Sequence, residues 1–415
     1  MGCSASRVGA CNCPGGAARV PPDPLDTIQQ ALSRVPAERR RALRTFRPGP
    51  EATLLPGQAG RPVGPLLDLA SNDYLGLSAH PSLKAAAMAA INGEGVGSGG
   101  SRLVSGTRPC HDSLEAALSH WLGRERVLLF PSGFQANLAA VLALADRHSD
   151  VIADRLIHHS LLVGIQASGA RLRRFRHNDL SDLRRLLVRG ARSEPDRRRL
   201  VVSESLFSME GTSPDLAGIA AICQEFGALL LVDEAHALGL LGPGGRGLAW
   251  GLTGVSLVSG TFGKAFGAGG AFLAADGPVG DWLLQSSGAF RYTTALAPPL
   301  AAAALTALRL LEADPGQGAA LLRRAQRWRD GLEAAGWRRP PGEGPVLPLH
   351  VGDDALALSL QGSLEQAGLL GVAIRPPTVP EGTARLRLVL RRDLPRGSLN
   401  RLLNALAAWP NAASP

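Results

Sequence analysis

Ala228-Leu229-Leu230-Leu231-Val232-Asp233-Glu234-Ala235-His236 opens on five apolar residues and closes on two carboxylates and a histidine. A short, unbroken apolar run of this kind suits a strand buried on both faces, as in a parallel sheet. Asp233 then stands at the carboxyl end of that strand, the edge at which open α/β sheets bind ligands. A helix N-cap is the competing use of an aspartate there, since Asp-Glu-Ala-His also suits a helix start. Outward from this strand, apolar runs at 127–130, 150–153, 171–175, 200–204, 257–259 and 270–274 alternate with helix-length segments such as 133–145 and 181–189. That alternation predicts a mostly parallel seven-stranded sheet covered by helices.

Residues 1–24 are rich in Gly, Ala and Pro and read as an unstructured leader. The opening Met1-Gly2-Cys3-Ser4-Ala5-Ser6 formally matches a lipidation pattern but has neither a hydrophobic core nor a polybasic run behind it. Helical spacing of Leu25, Ile28, Leu32 and Val35, interrupted at Pro36, predicts an N-terminal arm of two short helices over 25–65, ending in a Pro/Gly loop at 48–65. A large domain is expected over 66–297. A smaller α+β domain is expected over 298–415, opening with a long helix at 300–312, then a strand near 386–390 and a closing helix near 398–408.

Composition narrows the function classes. No apolar run is long enough to cross a bilayer. The net charge is +9, yet of 44 basic residues only Lys84 and Lys264 are lysines, and aromatics make up 4% of the chain. Forty-two scattered arginines without stacking aromatics read as a compositional bias rather than a nucleic-acid surface. Five cysteines, three of them in the leader, form no disulfide framework, and a reducing cytoplasm fits. The same bias makes Lys264 conspicuous. Arginine replaces lysine on a solvated surface, but a guanidinium forms no Schiff base.

Two stretches match G-x-G-x-x-G, and both are expected to be decoys. Residues 95–100 follow a helical run, where a dinucleotide fingerprint must follow a strand, and 242–247 carries Pro243 with no helix start behind it. Lys264 is instead wrapped by Gly260, Gly263, Gly267, Gly269 and Gly270, which let a ring approach the backbone and offer N–H groups to a phosphate. Ser132-Gly133-Phe134-Gln135-Ala136-Asn137 lies between a strand and a helix, and a helix N-terminus there suits a phosphate dianion. His158, in Asp154-Arg155-Leu156-Ile157-His158-His159-Ser160, again follows a strand. A lone histidine of this kind is more often structural than catalytic.

Together with Ser71-Asn72-Asp73-Tyr74-Leu75-Gly76-Leu77, Gly97-Ser98-Gly99-Gly100-Ser101-Arg102 and Phe207-Ser208-Met209, these stretches resemble the signatures of the α-oxoamine synthases, in that family's order. Those are fold-type-I pyridoxal-phosphate enzymes that condense an amino acid with an acyl thioester and lose CO2. The resemblance spans about residues 25 to 410. It implies that Lys264 carries pyridoxal phosphate as a Schiff base and acts in catalysis with His158, Asp233 and His236. Asp233 would pair with the pyridine nitrogen, His158 would stack on the ring, and His236 and Ser208 would address the phenolic oxygen.

By the same resemblance, Gly133, Phe134 and Thr261 would hold the phosphate and Glu204 would belong to the cofactor site. Thr293 and Thr294 would arrive from a second subunit, making an obligate homodimer. Asn72, Arg375 and Arg387 are the candidates for the amino-acid carboxylate, a task suited to a guanidinium. Residues 373–387 resemble the branch that joins L-alanine to a pimeloyl thioester, carried by coenzyme A or an acyl carrier protein, in biotin biosynthesis. Arg44 is the candidate for the far carboxylate of that acyl chain, although the arm departs from the family around Arg44-Thr45-Phe46-Arg47. His159 also departs, standing where the family has a small residue. A sister branch, such as glycine C-acetyltransferase, would share the same core.

Overall fold

A computed structural model describes residues 23–57 and 64–409. The expected leader, apart from its last residues, and part of the loop at 48–65 lie outside the described residues. The chain divides into two compact units between Leu43 and Arg44. In the first, Asp23 accepts from the Leu25 N–H and starts the helix Pro24–Ser33, on which Leu25, Ile28 and Leu32 are all exposed. The second expected helix is a single 3-10 turn, Ala37–Arg39, which Arg40 ends in an extended conformation.

In the second unit the expected loop contains a hairpin. Strand β1 (Phe46–Pro48) pairs antiparallel with β2 (Thr53–Pro56), which pairs antiparallel with β3 (Leu66–Asp68). The central sheet follows with β4 (Arg126–Phe130), β5 (Ser149–Asp154), β6 (Arg171–Phe175), β7 (Arg198–Glu204), β8 (Leu229–Asp233), β9 (Leu257–Thr261) and β10 (Ala271–Ala275). Its order is β4-β10-β9-β8-β7-β5-β6, parallel except that β10 runs antiparallel to both neighbours. Seven mostly parallel strands match the expectation.

Side chains alternate between the two faces along each strand. Val201, Leu230, Val232 and Val258 enter one apolar cluster, while Leu200, Val202, Leu231 and Leu257 enter the other. Burial on both faces explains why these strands read as continuous apolar runs.

Beyond the long helix Pro298–Ala313, β11 (Val346–Gly352), β13 (Val372–Ile374) and β14 (Ala384–Val389) form a three-stranded antiparallel sheet, and β12 (Leu369–Leu370) pairs in parallel with β3. The end of the chain therefore holds the stretch after β3. Val389 N–H donates to Leu69 O at 2.8 Å and Arg392 N–H to Tyr74 O at 2.7 Å. Arg391 Nη1 meets Asp68 Oδ2 at 2.8 Å. Both glycine decoys behave as expected: 95–100 follows the helix Pro81–Glu94, and 242–247 contains only a 3-10 turn.

Candidate active site

The carboxyl edge of the sheet assembles the site. Glu204, Asp233 and Ser259 are register partners across β7, β8 and β9, so two carboxyl groups and a hydroxyl share one edge. Past Thr261 the chain turns tightly: Gly263 N–H donates to Thr261 Oγ1 at 3.2 Å and Gly267 N–H to Lys264 O at 2.9 Å. Gly267 has φ +62°, and a Cβ there would lie 2.3 Å from Ser78 N, so this turn needs glycine. Opposite it, Ser132 caps the helix Gly133–Leu144, its Oγ accepting from Gln135 N–H at 3.3 Å. The N–H groups of the first turn have no intrahelical acceptor. A Cβ on Gly133 would lie 3.6 Å from Thr261 Cβ, which places this helix start against the end of β9.

Lys264 lines a cavity of about 250 Å³ with Asp233, Glu204, His158 and His236. Asn72, Gly133, Phe134, Asn137 and Thr261 also line it. Burial pulls the Lys264 ammonium down to about 8, against the opposing pull of Asp233 and Glu204. Burial lifts Glu204 well above the usual carboxyl range, and Asp233 adds to the lift. Glu204 Oε1 accepts the His158 backbone N–H at 2.5 Å. Asp233 is held on both oxygens, Oδ1 by Ala235 N–H at 2.9 Å and Oδ2 by Asn137 Nδ2 at 2.7 Å. No α-helix starts at Asp233, which removes the N-cap reading.

His236 is buried, and burial pulls it well below the usual histidine range, with Lys264 and Arg387 adding to the effect. Its Nδ1 lies 2.5 Å from Tyr74 Oη. Arg387, also buried, donates from Nη2 to Asn72 Oδ1 at 3.0 Å and from Nε to Ser208 O at 2.7 Å. Asn72 thus joins the guanidinium to the cavity.

Other expected residues lie elsewhere. Ser208 meets Arg387 through its carbonyl and does not line the cavity. Arg375 does not line it either. Thr293 and Thr294 line a separate hollow of about 390 Å³ with Ser101, Leu103, Val104 and Tyr292. Arg44 is committed to a bidentate pair with Glu365, at 2.6 and 3.0 Å, and its guanidinium lies 5.0 Å from the Phe46 ring centroid. Arg44, the candidate for the far acyl carboxylate, thus has an acid of this chain as its partner. Tyr74 and Asn137 are the residues that sequence reasoning quoted without a role. The partners that give each its polar task, His236 and Asp233, are distant in sequence, so the local stretch gave no signal of it.

Residues 64–406 match the family described as aminotransferase class I and II. The chain belongs to that family. It is 44% identical over 348 residues to the 8-amino-7-oxononanoate synthase of Gluconacetobacter diazotrophicus, covering 82% of this chain and 87% of the relative. The synthase of the same name from Klebsiella pneumoniae is 45% identical over 343 residues, covering 82% and 88%. Among solved structures, Sphingomonas wittichii serine palmitoyltransferase superposes with a TM-score of 0.83 at 30% identity, covering 92% of this chain and 95% of that one. The 8-amino-7-oxononanoate synthase of Francisella tularensis gives 0.71 at 28%, covering 82% and 96%. The fold is that of the fold-type-I pyridoxal-phosphate transferases.

Proposed function

We propose that this chain condenses L-alanine with a pimeloyl thioester, on coenzyme A or an acyl carrier protein, to give 8-amino-7-oxononanoate, CO2 and the free thiol, with pyridoxal phosphate held at Lys264. The observation that carries the reading is one cavity in which a strand-end carboxylate, Asp233, and a glycine-wrapped lysine, Lys264, stand together. Relatives at 44 and 45% identity bear the name of that reaction.

The residues suit this cofactor. Asp233 offers an acceptor fixed by two donors, as a protonated pyridine nitrogen requires. The start of the helix Gly133–Leu144, with Thr261 beside it, suits a phosphate dianion. Pyridoxal phosphate supplies an aldehyde that takes up amines and a ring that withdraws electrons from the α-carbon of an attached amino acid. Lys264 Nζ, whose low value leaves much of it neutral near pH 8, takes the α-proton of L-alanine and later returns a proton to the product. Asp233 keeps a proton at the ring nitrogen. His158, lining the same cavity, offers a flat face to the ring, and His236 with Ser208 is assigned to the phenolic oxygen. Asn72, Arg375 and Arg387 are assigned to the amino-acid carboxylate. Thr293 and Thr294, on their separate hollow, would serve the site of a second copy in a homodimer.

The test is a substrate comparison on the purified, cofactor-loaded protein: L-alanine with pimeloyl-CoA, glycine with acetyl-CoA, and L-serine with palmitoyl-CoA, following thiol release. A pimeloyl chain ends in a carboxylate that the other two lack, and a single matched contact is worth about tenfold. The pimeloyl and alanine pair is expected to lead by at least about that factor in kcat/KM. A lead for glycine with acetyl-CoA would overturn the substrate assignment and leave the cofactor assignment standing.

A further inference from the structure

Asn137, on the helix Gly133–Leu144, is 3% exposed and lines the Lys264 cavity. Its Nδ2 lies 2.7 Å from Asp233 Oδ2 and 2.9 Å from Ser160 Oγ. A carboxylate only accepts, so the amide nitrogen must be the atom that faces Asp233, and both of its hydrogens are then in use. Its Oδ1 is buried and meets no hydrogen-bond partner among the described residues. A buried carbonyl left unmatched is costly, and the amide nitrogen makes both of the hydrogen bonds that offset it.

The direction of the bonds propagates. Ser160 Oγ accepts from Asn137, which leaves the serine's own hydrogen to donate to His158 Nδ1 at 2.7 Å. The Ser160 backbone N–H lies 3.3 Å from the same nitrogen. Two donors on Nδ1 keep that atom unprotonated, and the ring proton is then on Nε2. We propose that Asn137 is a positioning residue that fixes Asp233 toward the cofactor's ring nitrogen and, through Ser160, holds His158 as the neutral Nε2–H tautomer. The inference rests on the reading of Asp233 as the partner of that nitrogen.

Both ends of the relay serve one purpose. With Oδ1 held by Ala235 and Oδ2 by Asn137, the Asp233 carboxylate cannot rotate away from the nitrogen it serves. A neutral imidazole against a protonated ring avoids a cation facing a cation.

The test loads wild-type protein and the variants Asn137→Ala, Asn137→Asp and Ser160→Ala with pyridoxal phosphate labelled with 15N in the ring, and records the 15N resonances of that nitrogen and of His158. In Asn137→Ala the ring nitrogen is expected to move toward its unprotonated position. Its kcat should fall by about tenfold or more, the scale of a lost hydrogen bond to a charged group. Its KM for L-alanine should stay within about twofold, because an orienting interaction of this kind is not a substrate contact. Ser160→Ala should leave the ring nitrogen unmoved and give a mixture of His158 tautomers. Asn137→Asp keeps the shape and covers the case in which the alanine variant fails to fold; it should also shift the ring nitrogen, since two carboxylates would then share a proton. Loaded variants with wild-type resonances at both sites would overturn the inference. A wild-type protein that takes up no pyridoxal phosphate would instead remove the reading beneath it.

Discussion

Tyr74 Oη lies 2.5 Å from Nδ1 of His236. Burial pushes the phenol up to about 12, so it keeps its proton, for which Nδ1 at 2.5 Å is a much nearer acceptor than Asn72 Oδ1 at 3.4 Å. His236, neutral because burial pulls it well below the usual range, must accept on Nδ1 and carry its own hydrogen on Nε2. Tyr74→Phe removes the group that selects this tautomer, and a lost hydrogen bond of roughly 0.5–1.5 kcal/mol is worth up to about tenfold. The variant is expected to fold, to bind pyridoxal phosphate about tenfold more weakly and to shift its visible absorbance. An unchanged titration would show that His236 needs no partner.

Lys264→Ala is expected to give a folded protein that captures no cofactor covalently and does not turn over. Lys84→Ala is the control, since Lys84 is exposed on the helix Pro81–Glu94 and surface changes of that kind stay within about 0.5 kcal/mol. Borohydride reduction followed by mass spectrometry of the peptides checks both. A cofactor-bearing peptide from the Lys264→Ala protein would sink the assignment.

The pH dependence of cofactor capture follows from the same lysine. Burial lowers its value from 10.5 to about 8, and only the neutral amine attacks an aldehyde. Stopped-flow mixing of cofactor-free protein with pyridoxal phosphate should give a rate that rises with pH, is half-maximal near 8 and levels off above about 9. A midpoint at 10 or higher would mean that the amine is not buried as described.

Glu234 gives a stability prediction with the opposite neighbourhood and no role in the cavity. Burial raises it to about 7, and its Oε1 accepts the Ala249 N–H at 2.6 Å. A carboxyl with a raised folded value binds its proton more tightly in the native state. Its contribution is therefore fully present below about 4.5 and is lost as pH rises through about 7. The difference from 4.5 amounts to roughly 3 kcal/mol at most. Glu234→Gln should flatten the fall in denaturation midpoint between pH 5 and pH 8, and should be the more stable protein at pH 8. Parallel midpoint curves for the two proteins would refute this.

Arg44→Ala should leave the KM for pimeloyl thioester within about twofold and lower stability by about 1 kcal/mol, because the guanidinium is occupied by Glu365 at a partly exposed site. Steady-state kinetics with a chemical melt decides it. A large rise in KM with unchanged stability would return Arg44 to the acyl channel.

The central sheet was legible because its strands are buried on both faces, so that Leu200–Val202 and Leu229–Val232 announce themselves as apolar runs without help from the rest of the chain. The β1–β2 hairpin was not. Its turn places Glu51 and Ala52 at φ +50° and +55°, where a reader looks for glycine or asparagine. Lys264, Asp233, His158 and His236 could be picked out because their chemistry is unusual at strand ends. The tasks of Tyr74 and Asn137 depend on partners 162 and 96 residues away, His236 and Asp233, and no local pattern encodes such a contact. The pairing of Arg44 was illegible for the same reason. Its acid, Glu365, lies 321 residues further on.

The parallel pairing of Leu66–Asp68 with Leu369–Leu370 sets a schedule for the ribosome. Asn72 and Tyr74 follow β3, and the backbone bonds on this stretch from the far end of the sequence are those of Val389 to Leu69 and Arg392 to Tyr74. At a synthesis rate of about 5–20 residues per second, some 300 residues separate the two strands, and the nascent chain waits roughly 15–60 s between making the first and receiving the second. During that interval β3 has β2 on one side and nothing on the other, and the stretch that carries Asn72 lacks the backbone bonds from Val389 and Arg392. A ribosome-bound chain arrested before Leu369 should therefore leave Tyr74 open to protease while the strands from Arg126 to Ala275 are already protected.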